Sequence, residues 1–243
     1  MTAQSRSDSP LLVAFDADDT LWHNERIFTD TQARFRELLR RHCDESVIEQ
    51  RLYDTEIRNL GHYGYGVKAF TLSMVETAID LTDGAITGGD VNAILDMGRE
   101  MLNAPVELLE GVSEVIPMLA GRYRLMVITK GDLLDQETKV ARSGLGDHFD
   151  FVEVVSRKDR GAYERVLNAH GAHPVEFVMV GNSLRSDVLP VAEMGGVAVH
   201  IPYHTTWAHE QVRDGTTEDL PYTRLERISE VPGFLAGLAN GSP

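Results

Sequence analysis

Cysteine is nearly absent from this chain: Cys43 is the only one in 243 residues. A single thiol excludes an internal disulfide and any metal cluster built on several cysteines, and it fits a reducing, cytoplasmic compartment. Long hydrophobic runs are missing too. No apolar stretch approaches the roughly 20 residues that span a bilayer, and Met1 to Pro10 lacks the apolar segment of a secretory signal. Positive charge is scarce: 23 Lys and Arg face 38 Asp and Glu, for a formal net charge of −15. That balance argues against a nucleic-acid-binding or anionic-membrane surface, although a local cation and lysine can still hold an anionic substrate in one pocket. No internal repeat or low-complexity tract is present. The remaining composition is that of a soluble globular protein, 42% hydrophobic and 25% charged, long enough for a full α/β core and a smaller insertion.

The strongest signal is Leu11-Leu12-Val13-Ala14-Phe15 running straight into Asp16-Ala17-Asp18-Asp19-Thr20. Five consecutive apolar residues suit a strand buried on both faces of a parallel sheet. Asp16 and Asp18 then emerge at the carboxyl end of that strand, where open α/β sheets place their ligands. Two carboxylates so close to a buried strand need a cation or hydrogen bonds to compensate them.

Four further apolar runs follow: Leu125 to Ile128, Phe151 to Val155, Phe177 to Val180 and Val197 to Ile201. Helical patterns separate them, over Glu110 to Leu119, Leu133 to Leu145, Ala162 to His170 and Asp187 to Met194. Strands alternating with helices in this way predict a Rossmann-like parallel sheet. The rhythm breaks between Trp22 and Pro105. There Ile27, Phe28, Phe35, Leu38 and Leu39 recur at helical spacing, as do Phe70, Met74, Val75, Ala78 and Ile79, with further helices over Glu45 to Leu60 and Val91 to Leu102. The expected organisation is a flexible N-terminus (1–10), an α/β core (11–22 and 106–243) and an inserted α-helical cap domain (23–105). The tail from Thr216 to Pro243 shows only one more strand or helix, around Leu225 to Leu238.

Each expected strand ends in polar residues: Asp16, Asp18 and Thr20; then Thr129-Lys130-Gly131; then Ser156-Arg157-Lys158; then Gly181-Asn182-Ser183 and on to Asp187. A parallel sheet projects all four sets to one edge, where they can converge on one ligand. Phosphoryl transfer needs an in-line nucleophile, neutralised oxygens and a protonated leaving group. Asp16 suits the nucleophile and Lys158 the fixed positive charge. Thr129 and the backbone amides near Lys130 and Gly131 suit phosphate oxygens. Asp18 suits a general acid and base, and Asp187 completes an oxygen-rich Mg²⁺ site with Asp16 and the Asp18 carbonyl. Asp19 reads as local turn bonding.

In this ordered set the chain resembles the haloacid dehalogenase superfamily of phosphohydrolases, from Leu11 to Ile201. Asp16, Asp18 and Thr20 match its first motif, Thr129 its second, and Lys158 with Tyr163 its third. Gly181, Asn182, Ser183 and Asp187 match its fourth with one departure, because Asn182 stands where that family has a metal-binding Asp. An amide oxygen can still ligate Mg²⁺ with one negative charge fewer, which implies weaker metal binding with Asp187 carrying more of the load. The helical insertion looks like the mobile cap of the phosphoglycolate phosphatase type. The resemblance implies a Mg²⁺-dependent phosphatase acting on a small phosphorylated metabolite. Two alternatives use the same residues: a 2-haloacid dehalogenase, against which Asp18 argues, and a catalytically weak phosphate-binding regulator, which Asn182 permits. A phosphotransferase sharing the aspartyl-phosphate is a further variant.

Other polar residues carry less. His204, His209 and Glu210 lack the spacing of a zinc helix. Trp207 lines the pocket or packs its loop, His23 at the entry to the insertion is a candidate substrate contact near the leaving group, and Arg157 is a second phosphate contact or a solvated charge. Tyr63, Tyr65 and Lys68 are equally open between substrate contact and packing.

Overall fold

A computed structural model describes residues 11–205, 207, 210 and 221–239. The N-terminal segment 1–10 and His209 lie outside the described residues. The five apolar runs form β1 (Leu12–Phe15), β2 (Arg124–Lys130), β3 (Phe151–Val155), β4 (Phe177–Gly181) and β5 (Val197–His200), and a short β6 (Thr223–Arg224) follows. All pair in parallel, in the order β3-β2-β1-β4-β5-β6. The chain builds outward in one direction from β1 through β2 and β3, and in the other through β4, β5 and β6. The strand order therefore reverses beside β1, where such sheets leave a crevice at their carboxyl edge.

Alternate side chains of each strand feed two cores. Val13 and Phe15 join Val127, Val178, Val180 and Val199 on one face, under α5 (Val112–Ala120) and α9 (Val231–Ala239). Leu12 and Ala14 join Met126, Ile128, Phe177 and Met179 on the other, under α7 (Arg160–Ala169) and α8 (Leu189–Glu193). Burial on both faces is why these strands read as unbroken apolar runs instead of alternating ones.

Between β1 and α5 the chain forms four helices: α1 (Glu25–Leu39), α2 (Glu45–Tyr63), α3 (Val67–Leu81) and α4 (Gly88–Asn103). They pack around an apolar cluster of their own that includes Phe35, Ile48, Phe70, Met74 and Ile94. A reciprocal pair of bonds between Thr87 and Asp90 starts α4. Gly98 lets α4 approach α3 closely, since a Cβ there would come within 2.3 Å of the Thr71 hydroxyl.

Three expectations need correction. The helix expected over Leu133 to Leu145 is α6 (Leu133–Arg142), capped by the Asp132 carboxylate on the Asp135 amide. The one expected over Asp187 to Met194 is a wide π-turn (Leu184–Val188) followed by α8. Its opening turns the Asp187 side chain back, so that Asp187 Oδ2 accepts from the Ser183 amide at 2.9 Å. In the tail, the element expected around Leu225 to Leu238 is β6, lying just ahead of it, and then α9. No helix among the described residues is long and apolar enough to cross a membrane.

Candidate active site

β1 ends against β4, with the Asp16 amide donating to the Val180 carbonyl at 2.9 Å. This fixes the backbone at the point where the first carboxylate leaves the sheet. Lys158, just after β3, reaches across to donate to Asp16 Oδ1 and, at 2.7 Å, to Asp187 Oδ1. The three charges form a buried triad; the Lys158 and Asp187 side chains are each 1% exposed. Burial lifts the Asp16 carboxyl from its ordinary 3.8 to about 7; Lys158 pulls it down, while Asp187 and Asp18 push it up. Burial also works against the charged Lys158, but Asp16 and Asp187 outweigh it and hold the ammonium above its ordinary value.

Gly181, at the end of β4, makes this arrangement possible. A Cβ there would meet Asp187 Oδ2 at 2.3 Å. The Thr20 hydroxyl lies 3.2 Å from Asp16 Oδ2 and 3.3 Å from Asn182 Oδ1, so both oxygens face one point. Among the described residues no three His, Cys, Asp or Glu side chains gather into a metal cage by themselves. The oxygens that meet here are mixed in kind: the Asp16 and Asp187 carboxylates and the Asn182 amide. Such an all-oxygen set fits a hard divalent cation.

Asp18 is held by residues that the sequence reading did not single out. Its carboxylate accepts from Trp22 Nε1 at 2.8 Å, Gln136 Nε2 at 2.9 Å and Lys139 Nζ at 3.0 Å. Lys139 also donates to Asn24 Oδ1 at 2.9 Å and lies 3.7 Å from Asp135. Burial works against its charge, but Asp18 and Asp135 hold the ammonium above its ordinary value. The signal for these partners was available: Asp132 starts α6, and Gln136 and Lys139, three residues apart, share a face of it. Asp19 takes the expected local role. Its carboxylate accepts from the Asn24 and Glu25 amides at the start of α1. Burial raises it to about 6, with those two amides pulling the other way.

Lys130 and Glu210 form a second cluster beside the first. Glu210 accepts from Lys130 Nζ at 2.5 Å and from the Ser183 and Ser186 hydroxyls, both at 2.6 Å. Burial works to raise the Glu210 carboxyl, but Lys130 and the two hydroxyls outweigh it and hold it at about 2. Lys130 Nζ also stands 4.6 Å over the Tyr65 ring, and Trp207 meets that ring edge-on at 6.2 Å.

A cavity of about 180 Å³ opens between the sheet edge and the inserted helices. It brings together Asp16, Asp18, Thr129, Lys130, Lys158, Asn182 and Asp187 of the expected site. Gly131 is not part of its lining; it packs by Gln136, and Thr129 Oγ1 lies 3.3 Å from Gln136 Oε1. Tyr65, Trp207 and Glu210 line it too. His23 does not; its Nδ1 pairs with the Tyr203 hydroxyl at 2.6 Å, beside a separate shallow pocket. Arg157 and Tyr63 are exposed, and Lys68 pairs with Asp132 at 2.8 Å. Tyr163 is a support: its hydroxyl donates to the Ser186 carbonyl at 3.0 Å, under the π-turn that carries Asp187.

A parallel sheet with acids, a buried lysine and hydroxyl groups converging at its switch point makes this edge the candidate active site. The family profile described as haloacid dehalogenase-like hydrolase matches residues 11–195, and the chain belongs to that family. A haloacid dehalogenase-like family hydrolase from Xanthomonas campestris is 40% identical, with a TM-score of 0.84 over 97% of this chain and 94% of that one. More distant folds include an L-2-haloacid dehalogenase from Xanthobacter autotrophicus (18% identity, TM-score 0.67, 94% of this chain and 99% of that one). A HAD phosphatase from Thermococcus onnurineus also shares the fold (20% identity, TM-score 0.62, 93% and 98%). No curated protein matches the sequence.

Proposed function

We propose that this protein is a cytoplasmic, Mg²⁺-dependent phosphatase that hydrolyses a small phosphomonoester through an aspartyl-phosphate on Asp16. The observation that carries this reading is the second carboxylate. Asp18 lines the cavity two residues from Asp16, and Trp22, Gln136 and Lys139 fix its direction. Cleaving a phosphate ester expels an alkoxide that needs a proton, whereas expelling a halide does not.

Asp16 Oδ attacks phosphorus as the bond from phosphorus to the leaving oxygen breaks, and Asp18 gives that oxygen its proton. Asp18 then takes a proton from water as the water attacks the aspartyl-phosphate. The bond to Asp16 breaks, releasing inorganic phosphate and restoring the carboxylate. Lys158 supplies a positive charge in the low-dielectric site throughout, and Thr129 and Lys130 border the phosphate position. Asp16, Asp187, Asn182 Oδ1 and the Asp18 carbonyl would hold Mg²⁺, which when bound neutralises phosphate charge beside the nucleophile. Asn182 in place of a carboxylate weakens that metal site without abolishing it. The helices facing the sheet edge limit water around the reacting phosphorus.

The test sets p-nitrophenyl phosphate beside 2-chloropropionate, with and without Mg²⁺. Phosphate release that requires Mg²⁺, with no chloride release, supports the phosphatase. Chloride release alone identifies a dehalogenase, and phosphate binding without turnover identifies a regulator.

A further inference from the structure

The cavity has two chemically different walls. The sheet-edge wall carries three lysines, and each is already matched by acids: Lys158 by Asp16 and Asp187, Lys139 by Asp18, and Lys130 by Glu210. The opposite wall, from α1, α2 and α3, carries no Lys, Arg or His among the described lining residues, but it does carry Glu25 and Glu56. Both carboxylates lack a hydrogen-bond or ion-pair partner among the described residues. Phe28 and Phe70 lie on the same wall, their rings 5.1 Å apart.

A third group points the same way. Asn59, only 5% exposed, spends its amide Nδ2 on Ser73 at 3.2 Å and Glu76 at 2.7 Å. Its Oδ1 is left as an acceptor with no donor among the described residues, on a residue that lines the cavity. A wall offering two unmatched carboxylates, a free carbonyl and two aromatic rings lacks a donor that is positively charged. Burial lifts Glu25 to about 7, with Asp19 and Asp18 adding to it, and burial together with Glu25 lifts Glu56 to about 8. A cation between them relieves both strains.

We propose that this helical wall selects a phosphomonoester whose leaving group carries an ammonium, a short amino-alcohol phosphate, with Glu25 and Glu56 recognising the charge. The inference rests on the phosphatase reading and names its substrate class. The unmatched acids draw the ammonium to the helical wall, which leaves the phosphate end toward Asp16 and Lys158. Above about pH 8, where both acids are ionised, the same wall disfavours phosphorylated carboxylic acids and 2-haloacids, whose carboxylates would face Glu25 and Glu56 with no arginine lining the cavity among the described residues.

The experiment compares kcat/KM for O-phosphoethanolamine, glycerol phosphate and phosphoglycolate, with p-nitrophenyl phosphate run beside them. We expect O-phosphoethanolamine to exceed glycerol phosphate by about tenfold, the scale of one charge pair in a part-buried pocket, and phosphoglycolate to be the poorest. Glu56→Gln should erase most of the preference for O-phosphoethanolamine over glycerol phosphate, a ratio that general loosening of the fold does not change. Glu25→Gln serves the same purpose should the first variant fold poorly. Binding of O-phosphoethanolamine to Asp16→Asn, read by titration calorimetry, gives an answer that does not depend on turnover. Hydrolysis of p-nitrophenyl phosphate with glycerol phosphate or phosphoglycolate equal to or better than O-phosphoethanolamine overturns the ammonium inference and leaves the phosphatase standing. Failure to hydrolyse any phosphate ester removes the phosphatase, and failure to bind O-phosphoethanolamine then removes the inference with it.

Discussion

Replacing Asp16, the proposed nucleophile, should make the metal-free protein more stable, and only above a certain pH. Asp16 is buried beside Asp187, and folding raises its carboxyl from 3.8 to about 7. A carboxyl whose folded value is raised binds its proton more tightly in the native state than in the unfolded chain. Stability is therefore lost as pH rises from about 4 to about 7, and the full cost stands above that window. At 1.36 kcal/mol per pH unit the rise corresponds to about 4 kcal/mol. Asp16→Asn removes that cost, and the pull of Lys158 is already contained in the value near 7. Lys158 keeps Asp187, at 2.7 Å, so it is not left unpaired. The net expectation is a gain of up to about 4 kcal/mol at pH 8 and little difference at pH 4, where the native Asp16 is protonated. Urea unfolding of the two proteins in chelator at both pH values measures it, provided the slopes agree. An Asn variant that is less stable at pH 8, or a difference that does not grow with pH, refutes the idea that the site holds its nucleophile at an energetic cost.

Other consequences follow from named contacts. Lys139→Met removes the ammonium that holds Asp18 and Asn24; kcat for a phosphate ester should fall by about 10–100-fold, with a smaller change in KM. Equal kcat in the variant and the parent would show that Asp18 needs no such support. Gly181→Ala forces a methyl group into Asp187, so Mg²⁺ activation should weaken sharply and stability should drop by about 1–3 kcal/mol, as read by metal titration and thermal unfolding. Glu210→Gln removes a carboxylate held at about 2. A lowered folded value contributes stability above the ordinary carboxylate range that is lost as pH falls toward about 2. The variant should therefore unfold more easily at pH 7 and converge with the parent near pH 2 to 3; a constant gap across that range would contradict the contact.

The sheet was legible because burial on both faces leaves a plain mark. Runs such as Val13 to Phe15 and Phe177 to Val180 carry no polar residue, and each ends where a polar group emerges. The helices between β1 and α5 were legible from the spacing of Phe35, Leu39, Phe70 and Met74, which meet in one cluster. The π-turn before α8 was not, because Leu184 to Val188 has the composition of a helix start and its widening shows only where Asp187 meets Ser183 and Lys158 in the fold. Lys139 and Gln136 look like surface residues of a polar helix until α6 docks beside Asp18. Glu210 had no local signal, since its neighbours form no periodic pattern and its partners come from β2 and the π-turn. Glu25 and Glu56 likewise sit on ordinary amphipathic helices; only the tertiary fold turns them toward the sheet edge.

The proposed chemistry places the transferred phosphoryl group on the Asp16 carboxylate. Acid quench of the enzyme during turnover of a phosphate ester, followed by peptide mass analysis, tests this most directly. One added phosphoryl group is expected on the peptide that contains Asp16, absent from Asp16→Asn, which should be inactive. Sustained turnover by Asp16→Asn, or a phosphoryl group trapped on another residue, would contradict it.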